Sequence, residues 1–177
     1  MPHTPHRYAA SFRALHGTMA ALIISLLALG WYMTGLTYYD PDYRWTVTLH
    51  KSLGALLFVL ALARIAARRV TPQPPIHPNH APWERRLARL THGLFYAAFL
   101  LMPLSGYLIA TADGRPLELL GEPMIPALIQ WPGQADQMGK LHNGAAWLLA
   151  GLIALHASGA LKHHLIDRDN TLRRMFW

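Results

Sequence analysis

The sequence reads as an all-α transmembrane four-helix bundle with both termini in the cytoplasm. Three observations predict this. Hydrophobic residues make up 53% of the 177 residues and charged residues only 14%, where a soluble domain carries about 25% charged residues. Four long apolar stretches recur along the chain. The basic residues gather on alternate connections between them, as they do when cytoplasmic loops hold the positive charge. A single membrane domain spanning 1–177 accounts for all three.

The first span is Leu15–Leu36, which holds no formal charge and is long enough to cross a hydrocarbon core of about 30 Å. Met1–Arg13 ahead of it lacks a small-residue cleavage site, so the run reads as a retained span and not a removed signal peptide. The second span, Trp45–Ala67, is weaker, because Lys51 and Arg64 lie near its ends. Trp31, Tyr32, Tyr38, Tyr39 and Trp45 fit an interfacial aromatic belt between these two. The third, Leu90–Ala112, is uncharged and contains Pro103, which removes a backbone hydrogen bond and should kink the helix. The fourth is Leu141–Leu161. The connection Asp113–Gly139 is long and rich in Gly and Pro, and is expected to cover the outer end of the bundle with a short interfacial helix.

Orientation follows from charge. Arg7, Arg13, Arg64, Arg68, Arg69, Arg85, Arg86, Arg89, Lys162, Arg168, Arg173 and Arg174 fall on one side; Arg44, Lys51, Arg115 and Lys140 fall on the other. Twelve against four places the first side in the cytoplasm. Asp40, Asp42, Asp113, Glu118, Glu122 and Asp136 all lie outside. The net charge of +7 is thus a topology signal that meets membrane lipids, and no nucleic acid is expected as a partner. The absence of cysteine excludes disulfides, thiolate metal sites and a thiol nucleophile.

The chemistry lies in the eleven histidines. His142 and His156 are fourteen residues apart with no charge between them. That spacing is four turns less about 40°, so both rings face one way, about 21 Å apart along the axis. An ionisable group inside a membrane span points to function. Two on one face, at different depths, read as ligands of two stacked metal centres, and apolar surroundings without cysteine favour haem. His50 shares the outer depth with His142; the inner His156 can pair with His16 or His92. Two axial imidazoles fill an iron, which suits electron transfer over oxygen binding. Arg64, fourteen residues after His50, lies at the inner depth, where it can meet a haem propionate. Gly54, Gly93, Gly106, Gly144, Gly151 and Gly159 supply small residues near these depths. His3, His6, His77 and His80, in polar proline-rich flanks, are expected to be solvent-exposed and without a specific role. His163 and His164 suit a helix C-terminus at the headgroup level.

At these residues the chain resembles the prokaryotic cytochrome b561 family, over roughly residues 8–175. The resemblance is carried by Leu15-His16, Leu49-His50-Lys51, the Arg64 region, Thr91-His92-Gly93, Leu141-His142-Asn143, Leu155-His156 and His163-His164. The run Asp169-Asn170-Thr171-Leu172-Arg173-Arg174-Met175 extends it, and the stretch Thr71-Pro72-Gln73-Pro74-Pro75 adds weakly to it. It implies a bacterial inner-membrane protein with two haems b, one near each side, and ubiquinone as redox partner. It also implies that His16 pairs with His156, leaving His92 to a propionate or quinone site. Members often carry His-Trp where this chain has His16-Gly17, so packing beside the inner haem should differ.

The leading reading is therefore an electron carrier between the quinone pool and an outer-side donor or acceptor, with superoxide oxidation coupled to ubiquinone reduction as one form of it. The catalytic residues of such an oxidoreductase are not legible. Lys51, Arg115 and Lys140 can attract a small anion, although the outer side holds four basic residues against six acidic. His92, His163, His164, Lys162 and Arg64 supply polar partners for a quinone at the inner interface. The alternatives are a haem-bearing anchor subunit that docks a periplasmic redox partner, and a histidine-based proton-coupled transporter. The transporter suffers from the lack of any Asp or Glu inside the spans.

Overall fold

The computed structural model describes residues 7–75 and 80–176. Long apolar runs of good helix formers fold as four long helices: α1 (Ala10–Thr34), α2 (Tyr43–Val70), α3 (Pro82–Ala110) and α4 (Gln134–Leu165). α2 and α4 extend beyond their expected spans at both ends, whereas α1 and α3 begin ahead of theirs and stop two residues short of them, at Thr34 and Ala110. By length and composition α1, α3 and α4 can cross a membrane. α2 is as long but carries Arg44, Lys51, Arg64, Arg68 and Arg69. The last two sit in its final turn, where they complement the helix dipole. Thr71 then turns to extended backbone ahead of Pro72. α3 opens on Pro82, and Glu84 Oε2 accepts the Ala81 N–H at 2.8 Å. The helix runs on past Pro103.

α3 packs most extensively on α4, α1 on α2, and α2 on α3. The core is one layer at mid-length: Met19, Ile23 and Leu26 of α1, Leu57 and Ala61 of α2, Ala98 and Phe99 of α3, and Leu149 of α4. Other large apolar side chains point outward along the helices, among them Ile24, Val59, Leu101 and Leu148. That is the arrangement of a bundle solvated by hydrocarbon.

At one end, Asp42 joins α1 to α2, accepting from Tyr32 Oη at 2.9 Å and Trp45 Nε1 at 3.0 Å. The Trp45 and Tyr32 hydrogen bonds hold its carboxyl below the ordinary carboxylate range. The α3–α4 connection contains no interfacial helix of the kind expected. It forms an antiparallel hairpin, β1 (Leu117–Leu119) with β2 (Glu122–Ile125). Leu120 and Gly121 turn it with φ of +55° and +92°, the positive pair a two-residue primed turn needs. The hairpin rests on α2, where Leu120 N–H donates to Ser52 Oγ at 2.9 Å. Buried Gln134 closes this end, donating to the Leu108 carbonyl at 2.7 Å.

At the opposite end the short α5 (Arg173–Phe176) lies across the bundle. Arg13 donates to the Phe176 carbonyl at 3.2 Å, and Arg174 to the Pro75 carbonyl at 2.7 Å. Since the packed core is a single layer, truncation there should be costly. Leu149→Ala is expected to lose about 2–4 kcal/mol, read as a lower thermal midpoint of the detergent-solubilised protein. Leu128→Ala, at an exposed position, should leave the midpoint unchanged.

Candidate functional site

Two clusters of histidine lie above and below the core. At the hairpin end, the His50 and His142 ring centroids are 6.2 Å apart. At the termini end, the His16 and His156 centroids are also 6.2 Å apart. His92 lies 5.5 Å from His156, edge-on. An imidazole nitrogen binds a first-row metal at roughly 2 Å and lies about 1 Å from its ring centre, so rings roughly 6 Å apart leave room for one iron, and each 6.2 Å pair could hold one.

Hydrogen bonding prepares the hairpin-end pair. Ser105 Oγ donates to the Met102 carbonyl at 2.9 Å and lies 2.9 Å from His142 Nδ1. A hydroxyl has one proton, so Ser105 accepts from Nδ1–H, and His142 Nε2 keeps its lone pair for a metal. His50 Nδ1 and His16 Nδ1 are buried without a partner. Unpaired imidazole nitrogens in an apolar bundle suit a bound group that completes their surroundings. Gly30 and Gly106 face the two hairpin-end rings closely. A Cβ there would stand 3.3 Å from His50 Cε1 and 3.4 Å from His142 Cε1. An added Cβ at Gly54, four residues after His50, would meet nothing within 4 Å.

At the termini end, Arg64 lies over the Phe12 ring at 4.4 Å, with one guanidinium nitrogen buried and unpartnered. Phe95 meets His156 edge-on at 5.5 Å, and Phe176 meets His16 edge-on at 5.9 Å. The six residues singled out in the sequence are thus all placed in these clusters: His50 and His142 in one, His16, His92, His156 and Arg64 in the other. Gly30, Ser105, Phe12 and Phe176 were not singled out. A glycine one helix away, or a serine 37 positions from its histidine, leaves no local mark in the sequence.

Three expectations need correction. His80 is not a free solvent-exposed side chain: its ring stacks on His163 with centroids 3.8 Å apart, and Nε2 lies 2.7 Å from Asp169 Oδ2. Burial disfavours ionisation of Asp169, but hydrogen bonds from His80 and Thr171 prevail and lower its pKa to about 2. His3, His6 and His77 lie outside the described residues. Lys162 and His163 do not present free donors to a quinone. Lys162 Nζ is held by Glu84 at 2.6 Å and Asp167 at 2.7 Å, and His163 Nδ1 by Asp167 at 2.7 Å. Three of the four cations expected on the outer side are also paired: Lys51 with Glu118, Arg115 with Asp113 and Lys140 with Asp136.

A membrane helical bundle with paired histidines at both ends of its core belongs to the class of membrane cytochromes. The chain matches the family described as prokaryotic cytochrome b561 over residues 7–177. It is 40% identical to Cytochrome b561 homolog 2 of Escherichia coli K12 over 174 residues, covering 98% of this chain and 93% of that protein. It is 32% identical to the Probable superoxide oxidase CybB of Yersinia pestis, covering 87% of this chain and 89% of that one. Against Cytochrome b561 homolog 1 of Escherichia coli K12 the identity is 30%, over 82% of this chain and 81% of that one. The chain belongs to the prokaryotic cytochrome b561 family, whose members are haem b-binding membrane electron-transfer proteins.

The Ser105 hydrogen bond gives a direct test of the hairpin-end geometry. If His50 and His142 hold a haem, Ser105→Ala is expected to weaken its retention by about tenfold or more, measured by haem transfer to an apo-globin acceptor.

Proposed function

We propose that this chain is an inner-membrane dihaem cytochrome b that carries electrons between an outer-side donor and the quinone pool. Its four long helices all span the bilayer, with the termini in the cytoplasm. The exposed apolar side chains of α2, including Leu56, Val59 and Leu62, favour counting that helix as a span despite its charges. The observation that carries the reading is the pair of equal 6.2 Å histidine separations, one on each side of a single core layer.

In this reading His50 and His142 hold the outer haem b, and His16 and His156 the inner one. Haem supplies one-electron transfer across the apolar layer when bound. His142 is kept in the metal-binding tautomer by Ser105. Arg64 places a positive charge beside the inner site, where it can meet a propionate. His92, on the helix face toward His156, is the polar partner best placed for a quinone headgroup at the inner interface. Lys162 and His163, engaged with acidic residues, stabilise the rim instead.

The donor reading rests on one relative. The Yersinia pestis protein's printed name is that of a superoxide oxidase, and this supports superoxide as the outer donor. Two superoxide anions would each give up one electron and leave as dioxygen. One ubiquinone would take up both electrons and two protons to become ubiquinol. Because Lys51, Arg115 and Lys140 are each paired with an acidic neighbour, long-range steering of an anion should be weak. Arg44, beside Trp45, Thr48 and Ser52 in a hollow of about 440 Å³, is then the cation best placed to receive one.

Two measurements test this. A pyridine haemochrome assay on protein made with ample haem should give two haems b per chain, with His50→Ala or His142→Ala removing one and His16→Ala or His156→Ala the other. A stoichiometry of one in the parent chain, or loss of the inner haem in His92→Ala but not in His16→Ala, would overturn the ligand assignment. Rapid mixing should show reduction of the haems by superoxide and reoxidation by ubiquinone. His92→Ala should slow the second step with an unchanged haem spectrum, and Arg44→Gln should slow the first.

A further inference from the structure

The termini end carries a second constellation that the histidine pairs do not use. His80 precedes α3, His163 ends α4, and Asp169 lies on the tail beyond it. Their ligand atoms all fall within 4.8 Å of one another. His80 Nε2 lies 2.7 Å and His163 Nδ1 3.8 Å from the same Asp169 Oδ2. The rings are near-parallel, 17° apart, so both nitrogens approach the carboxylate from one stack. The side chains are 11%, 14% and 6% exposed: largely shielded, yet at the ends of helices and not within the apolar layer.

We propose that His80, His163 and Asp169 form a binding site for a late first-row divalent cation of the zinc type. Three ligands at roughly 2 Å from one ion hold their donor atoms about 3–4 Å apart, so His80 Nε2 and Asp169 Oδ2 move slightly apart and the two imidazoles tilt out of their stack to aim their in-plane lone pairs at one ion. Two imidazole nitrogens with one carboxylate oxygen select zinc-like ions over magnesium or calcium, which take oxygen ligands. A neighbouring trio, Glu84, His163 and Asp167, has a similar donor set. There, however, the Lys162 ammonium sits against both carboxylates at 2.6 and 2.7 Å, and its charge repels a cation. That ammonium leaves Asp169 facing the two histidines. Asp167 can serve as a fourth ligand only by giving up Lys162. The bound ion would clamp the α2–α3 connection, the end of α4 and the C-terminal tail together. None of the three ligands belongs to the proposed haem sites, so haem content reports independently on folding.

The test uses the full-length, haem-loaded protein in detergent, stripped with a chelator and dialysed against zinc. Metal analysis should find one tightly held zinc per chain, undisturbed by excess magnesium. His80→Ala and Asp169→Asn should each weaken zinc binding by more than the about tenfold that losing an outer partner costs, at unchanged haem content. His164→Ala, outside the trio, should not. The proposal is overturned if the parent chain binds zinc no more tightly than His80→Ala or Asp169→Asn, or if His164→Ala weakens it equally. Zinc-edge X-ray absorption of the parent protein needs no variant. Two imidazoles in the coordination shell are expected, and a shell without imidazole overturns the site.

Discussion

A helix advances two turns in seven residues, less about 20°, and every long helix of this bundle uses that step to build three levels. In α4 the sequence His142, Leu149, His156 runs along one stripe. In α2 the stripe is His50, Leu57, Arg64; in α1 it is His16, Ile23, Gly30; in α3 it is His92, Phe99, Gly106. The middle members Leu149, Leu57, Ile23 and Phe99 all belong to the core cluster. The outer members are the histidines, the arginine beside them and the two glycines that face imidazole edges. About 10 Å of rise separates one level from the next. The main apolar cluster thus sits at the centre, and the flanking levels hold polar side chains that would be costly there without a partner.

The two ends differ in how they are finished. Toward the hairpin, hydrogen bonds do the positioning: Ser105 lies against His142 Nδ1, Ser52 holds the hairpin turn, and Asp42 ties the first two helices together. Toward the termini, charge and aromatic edges dominate. Arg64 lies on Phe12, Phe176 abuts His16, and the acidic residues Glu84, Asp167 and Asp169 gather Lys162, His80 and His163. This asymmetry is in keeping with the proposed function, in which the partners on the two sides differ in chemistry.

Much of this was legible in the sequence because it is encoded locally. Apolar runs gave the four long helices, three of them apolar enough to cross a bilayer, and fourteen-residue spacings put histidines on common faces. What escaped depends on contacts between distant segments. His80 sits in a polar, proline-rich flank that looks unremarkable until Asp169, 89 positions away, meets it. Phe176 reaches His16 only because the tail folds back across the bundle. The hairpin strands are three and four residues long, too short for alternation to show. Its turn also puts leucine, a poor left-handed residue, at a positive φ.

The single core layer has a thermodynamic corollary. With the apolar cluster at one level, anything that the histidines bind adds to the hydrogen bonds and ion pairs that tie the ends of the helices together. In a haem b-binding family, cofactor binding and folding are then linked equilibria: the native state gains RT ln(1 + [haem]/Kd) for each site. If the proposed sites hold haem, polypeptide made when haem is scarce would lack that contribution to stability and be the more open to proteolysis.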